Sequence, residues 1–370
     1  MKFKEYSLAD LAAIKYGKNQ KKVLSDDGII PIYGTGGLMG YATEFLYDQP
    51  SVLIGRKGTI GKVKYVDHPF WTVDTLFYTI INTDIVLPKY LYYVMSLIDL
   101  NNYNEGTTIP SLRTETLNRL VFSIPSIEDQ EKVLSCILPI DEKIELNDRI
   151  NKNLLEQALT LYATHFSSVD KNGCIGDYCA VKSGFAFKSS WWTNNGVKVI
   201  KIGSINQDNL NLLECSYVDE DKADKAKDFV VKAGDLLIAM TGATIGKFAM
   251  VPYSSEELLV NQRVGKFFLG NHPVKKLPFI YCTLKQPEVY NEVVNRGQGS
   301  AQPNISASDI MSIPCVMPSQ DVINDFNNTA QPLFDLIISN QRENQQLSEL
   351  RNTLLPKLMS GELDVSDIEL

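Results

Sequence analysis

Two stretches carry a glycine–lysine pair behind an apolar run: SVLIGRKGTIGKVKYV at 51–66 and DLLIAMTGATIGKFAMV at 235–251. A phosphate-binding loop needs a glycine five residues before the GK glycine and Ser or Thr after the lysine. Here those places hold Arg56 and Val63, then Thr241 and Phe248, so nucleotide hydrolysis is not indicated. Each stretch reads as strand, tight turn, strand, with glycines permitting positive φ and Lys62 or Lys247 near the turn's end. YGTGG at 33–37 resembles part of a glycine-rich cofactor loop, but no Asn-Pro-Pro-aromatic motif of an amino-methyltransferase accompanies it. His68, His165 and His272 are too scattered to suggest a nucleophile–base arrangement. The six cysteines form no CxxC pair, so buried thiols rather than a zinc site or a disulfide framework are expected.

What remains is a set of basic, polar and aromatic residues on loops. In the first part of the chain Lys18, Lys21 and Lys22 precede the YGTGG segment with Thr35. Arg56, Lys57, Lys62 and Lys64 line the first GK turn, and Arg113 follows a second loop. In the later part Lys182, Phe185, Lys188, Trp191, Trp192 and Lys198 come early. Thr241, Lys247, Arg263, Arg296, Gln298 and Gln302 come later. Amide and hydroxyl side chains beside cations suit base-edge and phosphate contacts. A solvated surface explains many of them individually, and the two tryptophans fit a core as well.

The elements that must position these residues occur twice. PIDEKIELNDRINKNLLEQALTLYATHFS (139–167) lies on PLFDLIISNQRENQQLSELRNTLLPKLMS (332–360) at an offset of 193 without a gap, with ten identities in twenty-nine positions. Background composition gives roughly one or two. In the first copy Ile140, Ile144, Asn147, Asn151, Leu154, Ala158 and Leu161 step by three and four, the spacing of a coiled-coil seam. The second copy answers with Leu333, Ile337, Asn340, Asn344, Leu347 and Leu354. Pro139 and Pro332 suit a first helical turn. The repeat makes a rod of about 40 Å. Its simplest partner is its twin, packed antiparallel, with the asparagines as register devices.

The repeat extends to the larger segments. Both contain TIGK (Thr59–Lys62 and Thr244–Lys247), and Pro110 falls on Pro303 at the same 193 offset. The offset is smaller earlier, so the second copy has extra loop residues. In the first, IIPIYGTGGLMGYA (29–42) reads as a strand and a Gly-rich loop, TVDTLFYTII (72–81) as a strand and KYLYYVMSLID (89–99) as a helix. The chain is expected to be α+β, with two similar α+β domains each followed by a long helix, and a pseudo-twofold internal repeat. The boundaries are 1–125, 126–170, 171–317 and 318–370.

Charge follows this division. The net charge is −8, yet residues 1–125 hold 13 basic and 12 acidic side chains and residues 171–317 hold 16 and 14. Residues 126–170 hold 4 and 9, and residues 318–370 hold 3 and 9. The acid lies in the helical segments, leaving the domains free to present basic surfaces. No run approaches eighteen apolar residues and the start lacks a secretory core, so a cytoplasmic protein without a membrane span is expected.

Two α+β domains with TIGK turns, each followed by a long helix, resemble the specificity subunit of a type I restriction-modification system. LLPKLMSGELDV (354–365) is similar to that family's closing motif, and IPSIEDQEKV (124–133) resembles its Glu-Gln helix start, with Asp129 inserted between Glu128 and Gln130. MPSQDVINDF (317–326) departs further and lacks Glu-Gln. The resemblance covers nearly the whole chain. It implies two target recognition domains (1–125 and 171–317), each reading one half of a bipartite, asymmetric double-stranded DNA site. It also implies that the helices fix the gap between half-sites, about one turn of duplex for a rod of that length. The implied partners are two methyltransferase subunits and restriction endonuclease subunits, which would carry S-adenosylmethionine, ATP and Mg. The chain itself would be non-catalytic and hold no cofactor. A protein of another class, a protein–protein scaffold with two ligand-binding domains on a coiled-coil spacer, predicts no salt-dependent DNA affinity.

Overall fold

The computed structural model describes residues 1–297 and 303–368. The chain forms two compact units: Met1–Asp141 with Glu349–Leu370, and Glu142–Ser348. Unit 1 is built of two segments and unit 2 of one, because each of the two long helices is divided between the units.

In unit 1, a four-residue strand at Lys4–Ser7 and seven further strands precede the first helix of size: β1 (Ala12–Tyr16), β2 (Ile30–Gly34), β3 (Gly37–Ala42), β4 (Ser51–Gly55), β5 (Val63–Val66), β6 (Trp71–Thr72) and β7 (Leu76–Ile81). An antiparallel sheet has the order β1-β7-β4-β5, and a smaller one the order β3-β2-β6, with β2 and β6 parallel. Buried Val52, Ile54 and Phe77 face α1 (Pro88–Ser96), whose Tyr90, Leu91 and Tyr93 are also buried. A short α2 (Thr114–Asn118) follows, then α3 (Ile127–Phe166).

Unit 2 repeats the larger sheet. Strands β8 (Val181–Ser183), β10 (Leu236–Ala239), β11 (Phe248–Met250) and β13 (Val264–Phe267) pair antiparallel in the order β8-β13-β10-β11, matching β1-β7-β4-β5. The smaller sheet keeps a parallel pair, β9 (Val197–Ile200) with β12 (Leu258–Val260), but adds short edge strands to make five. The extra length expected in the second copy is found here. Two residues join β2 to β3, whereas residues 201–215 separate β9 from its neighbour Ser216–Val218 and contain a hairpin of their own. Helices α4 (Leu277–Lys285) and α5 (Pro287–Gly297) follow, and α6 (Gln320–Ser360) closes the chain's secondary structure.

The α+β class and the antiparallel helix pairing hold. Within unit 2, Asn147 donates to Asn344 Oδ1 at 2.8 Å, and Asn340 donates to Asn151 Oδ1 at 2.8 Å. The 193 offset turns one pair into the other, so the two contacts are related by the internal symmetry. The helices are longer than the repeat, 40 and 41 residues or about 60 Å each. They run through both prolines: Pro139 lies inside α3, and Pro332 and Pro356 lie inside α6, not in first turns. A proline there removes an i→i−4 donor and costs about 3 kcal/mol in an isolated helix. Neighbouring Ile137, Ala330 and Phe334 are fully buried and hold the helix together across it.

Two further expectations change. Residues 29–42 form the β2–β3 hairpin rather than a strand and a loop, because β6 and Ala42's buried side chain give the glycine-rich segment a place to pair. The TIGK connections are not tight turns: residues 56–62 and 240–247 each link their strands as wider loops. The seam also drifts at its ends, where Tyr162, Phe334 and Leu355 are more buried than Leu161, Leu333 and Leu354. There each helix turns its stripe from its twin towards a domain core. Among the described residues no helix is long and apolar enough to cross a membrane.

Candidate nucleic-acid interface

The GK loop of each unit is docked on a second loop by the same three backbone contacts. In unit 1, Gly58 N–H donates to Pro110 O at 2.9 Å, Leu112 N–H donates to Arg56 O at 2.9 Å, and Lys57 bridges Ser111. In unit 2, Gly242 N–H donates to Pro303 O at 3.0 Å, Ile305 N–H donates to Met240 O at 2.9 Å, and Thr241 bridges Asn304. Gly58 and Gly242 have φ of +88° and +72°, which a side chain would strain. Ile60 and Ile245 are buried beneath. The frame is thus identical, while the side chains it presents differ: Arg56-Lys57 in one copy, Met240-Thr241 in the other.

Around the first loop the structure gathers several of the expected residues. The turn at residues 72–75 is the hub. Thr72 O accepts Lys18 N–H, Thr75 O accepts Arg56 N–H, and Asp74 O accepts Arg56 Nη1, each at 2.8–2.9 Å. Arg56 also lies over the Tyr16 ring at 5.0 Å. Thr35, at the tip of β2–β3, stands beside Gly58. Lys64 sits 3.8 Å from the Tyr33 ring centroid, and desolvation holds its ammonium below the usual lysine range. Lys57 and Lys62 are exposed. Lys21 and Lys22 are exposed on the turn before Val23 and are not tied to this group. Arg113 is paired with Glu105 at 3.1 Å.

Unit 2 brings fewer together. Arg263 is exposed, and its carbonyl accepts Met240 N–H at 3.0 Å, which sets it next to Thr241. Lys247 is half-buried at the loop's far end. Lys182 lies on β8 with its ammonium over the Phe268 ring. Lys198 is half-buried and paired with Glu256. Arg296 ties α5 to the next turn, donating to Glu292, Asp309 O and Ser312 Oγ. Lys188 belongs to a separate cluster in which Trp191 is half-buried and stacked with Phe185; Trp192 carries Lys201 at 3.4 Å. Gln298 and Gln302 lie outside the described residues.

The cysteines take no part. Burial pushes the Cys179 and Cys315 thiols up to about 12, which leaves them unreactive. Tyr16, Leu38, Met39 and Lys201 escaped sequence reasoning. For Leu38 and Met39 a signal existed, since GGLMG places two large apolar residues between turn-forming glycines.

The two helix starts are fastened by different residues. Buried Gln130 accepts Leu87 N–H at 2.7 Å and donates to Ile85 O and Pro125 O, fastening the first turn of α1. In unit 2, where Ile323 occupies the matching place, Asn327 one turn on accepts Phe279 N–H at 2.9 Å and donates to Tyr178 Oη. Glu128 instead pairs with Lys132 at the surface.

Comparison with known proteins bears on both copies. A family model described as the type I restriction modification DNA specificity domain matches residues 1–156 and 170–349. The MjaIX specificity subunit, a type I restriction enzyme component of Methanocaldococcus jannaschii, is 25% identical over 358 residues, covering 87% of this chain and 80% of the relative. The HindI specificity subunit of Haemophilus influenzae is 22% identical, with coverages of 82% and 84%. Among solved structures, the S subunit of a type I restriction-modification system from M. genitalium superposes with a TM-score of 0.52 at 17% identity, over 97% of this chain and 96% of that one. That likeness concerns the fold.

Proposed function

Since the chain belongs to the type I restriction modification DNA specificity family, we propose that its two units each read one half of a bipartite, asymmetric sequence in double-stranded DNA. The chain is a specificity subunit acting in DNA sequence recognition. The observation that carries the finer reading is the repeated docking of the GK loop on the proline loop, one frame with different side chains in each copy. A scaffold that holds its backbone fixed while varying what it presents is what two different half-sites require.

The long helices, shared between the units and registered by the asparagine pairs, set the gap between half-sites in this reading. Their acidic faces suit protein partners better than DNA, and two methyltransferase subunits would dock there. Adenine-N6 methylation with S-adenosylmethionine, and ATP- and Mg-dependent cleavage by restriction subunits, would reside in those partners. This chain contributes no catalytic step, and the complex works in the cytoplasm.

The test is a methylome. The chain is expressed with its methyltransferase, and modified adenines are mapped across the genome. A bipartite motif that vanishes when this chain is omitted is the expected result. An assembled complex that produces no motif would instead support a protein scaffold. Inserting one helical turn into both α3 and α6 should change the gap and leave both half-sites unaltered.

A further inference from the structure

The β2–β3 hairpin of unit 1 exposes large apolar side chains that a soluble surface has no use for. Leu38 and Met39 are 54% and 56% exposed at its tip, and Tyr41 follows at 46%. They do not stand there by accident of sequence. The pairing of β2 with β3 slips between Ile32 and Tyr33, so Met39 is an extra residue on its strand. Such bulges re-aim a side chain. A Cβ on Gly34 would lie 2.3 Å from the Met39 sulfur, so Gly34 keeps the space the methionine occupies.

Gly36 adds a second observation. It does not have a left-handed φ, and a Cβ placed on it meets nothing within 4 Å. Nothing among the described residues requires glycine there. An unhindered backbone at the tip suits close approach by something outside.

The surroundings choose the occupant. The tip is anchored to the same 72–75 turn that holds Lys18 and Arg56, with Thr35 beside Gly58 and Lys64 over Tyr33. Lys18, Lys57 and Lys64 form no ion pair among the described residues. Apolar residues flanked by uncompensated cations match a groove, with bases inside and phosphates on its walls.

We propose that the β2–β3 hairpin enters a DNA groove and reads bases of one half-site by apolar contact through Leu38 and Met39, while Lys18, Lys57 and Lys64 hold the flanking phosphates. This rests on the DNA-specificity reading above and names the element that carries it in unit 1. Apolar readout takes two forms, contact with a thymine methyl or insertion at a base step.

The experiment uses the full chain with its methyltransferase and compares wild type with Leu38→Ser, Met39→Ser and Gly36→Val. Methylomes and binding of the cognate duplex over a salt series are the readouts. Leu38→Ser and Met39→Ser should relax positions in one half-site only and weaken cognate binding on the order of tenfold, with the salt slope unchanged. Gly36→Val should weaken binding with no change in melting temperature. For the wild type, replacing thymine by deoxyuridine in that half-site should weaken binding if a methyl is read. If binding is retained while Leu38→Ser still relaxes the motif, the contact is insertion at a base step. Folded variants with the wild-type motif and affinity would overturn the proposal while leaving the function intact. Variants that lose the methyltransferase but bind DNA normally would make the hairpin a protein-docking surface, which also overturns it. A wild-type complex with no motif would defeat the functional reading itself.

Discussion

Where unit 1 meets its helices, Asp141 on α3 accepts hydrogen bonds from Tyr93 on α1 and from Arg351 on α6, the latter at 2.7 Å. Burial, then the bond to Asp141, raises the Tyr93 hydroxyl above its ordinary range and keeps it a donor. Shifted by 193, Asp141 becomes Phe334 and Arg351 becomes Ala158, both fully buried in unit 2. Tyr281 of α4 packs edge-on against Phe334, with ring centroids 5.4 Å apart. At this equivalent position one repeat fastens its domain to the helices by charge and the other by close packing. The connection between equivalent strands differs as well. The β2–β3 tip is exposed, whereas the longer 201–215 segment is pinned: Asp208 accepts from Tyr281 and Lys285, and its carbonyl accepts Gln341 of α6. The insertion in unit 2 therefore replaces an exposed tip with a further attachment to the helices. The pinning is close enough to hold Asp208 at a φ of +67°, rare for a residue with a side chain.

If this contrast is right, the apolar joint should be the costlier to damage. Phe334→Ala removes a ring from a packed core and should destabilise unit 2 by about 3–5 kcal/mol. Denaturant titration monitored by Trp191 and Trp192 fluorescence would show it. Arg351→Ala should cost unit 1 about 2 kcal/mol, the value of a charge-assisted hydrogen bond left unmade. A double-mutant cycle with Asp141→Ala isolates that interaction, and zero coupling would show that packing holds both joints alike.

The asparagine pairs, symmetric in the backbone, are unequal in their surroundings. Asn147 donates to Glu343 as well as to Asn344, and Asn344 donates to Asp148. The bond from Asn147, aided by Lys143, holds the Glu343 carboxyl below its ordinary range. Asn340 donates to the neutral Asn151. Asn147→Ala should therefore cost more than Asn340→Ala, roughly 2 against 1 kcal/mol. The excess should be present at neutral pH and fade as pH falls through the lowered pKa of Glu343, because protonation removes the acceptor charge. Thermal unfolding at pH 7 and at low pH measures both points.

The sequence makes the frame of this molecule visible because identity at a fixed offset needs no knowledge of packing. It reveals the seam, the antiparallel partner and the asparagine register. The joints stay hidden. Asp141 and Arg351 read as ordinary helix-surface charges until folding sets Tyr93 beside them, and the shift of the buried stripe to Tyr162 and Phe334 follows from a helical period that is not 3.5. Pro139 reads as a helix start because local propensity cannot register the tertiary burial that carries the helix through it. GTGG reads as a loop because glycine is poor in strands, although here it builds the tip of a hairpin. The loop cations are recognisable by type, but which of them gather at the 72–75 turn depends on backbone hydrogen bonds that no residue pattern encodes.

The smallest effect discriminates most sharply between the two GK loops. Lys57 and Thr241 occupy the same place in the docked frame, so backbone position cannot separate them. A phosphate contact releases counterions, whereas a neutral hydroxyl contact does not. Lys57→Ala should lower the slope of log affinity against log salt by about 0.9 and weaken binding to all sequences alike. Thr241→Ala should leave the slope unchanged and alter base preference in the other half-site. Equal slopes for the two variants would mean that both loops meet the duplex in the same manner. The divergence of their side chains would then have to be traced to the bases beneath them rather than to a division of labour between charge and readout.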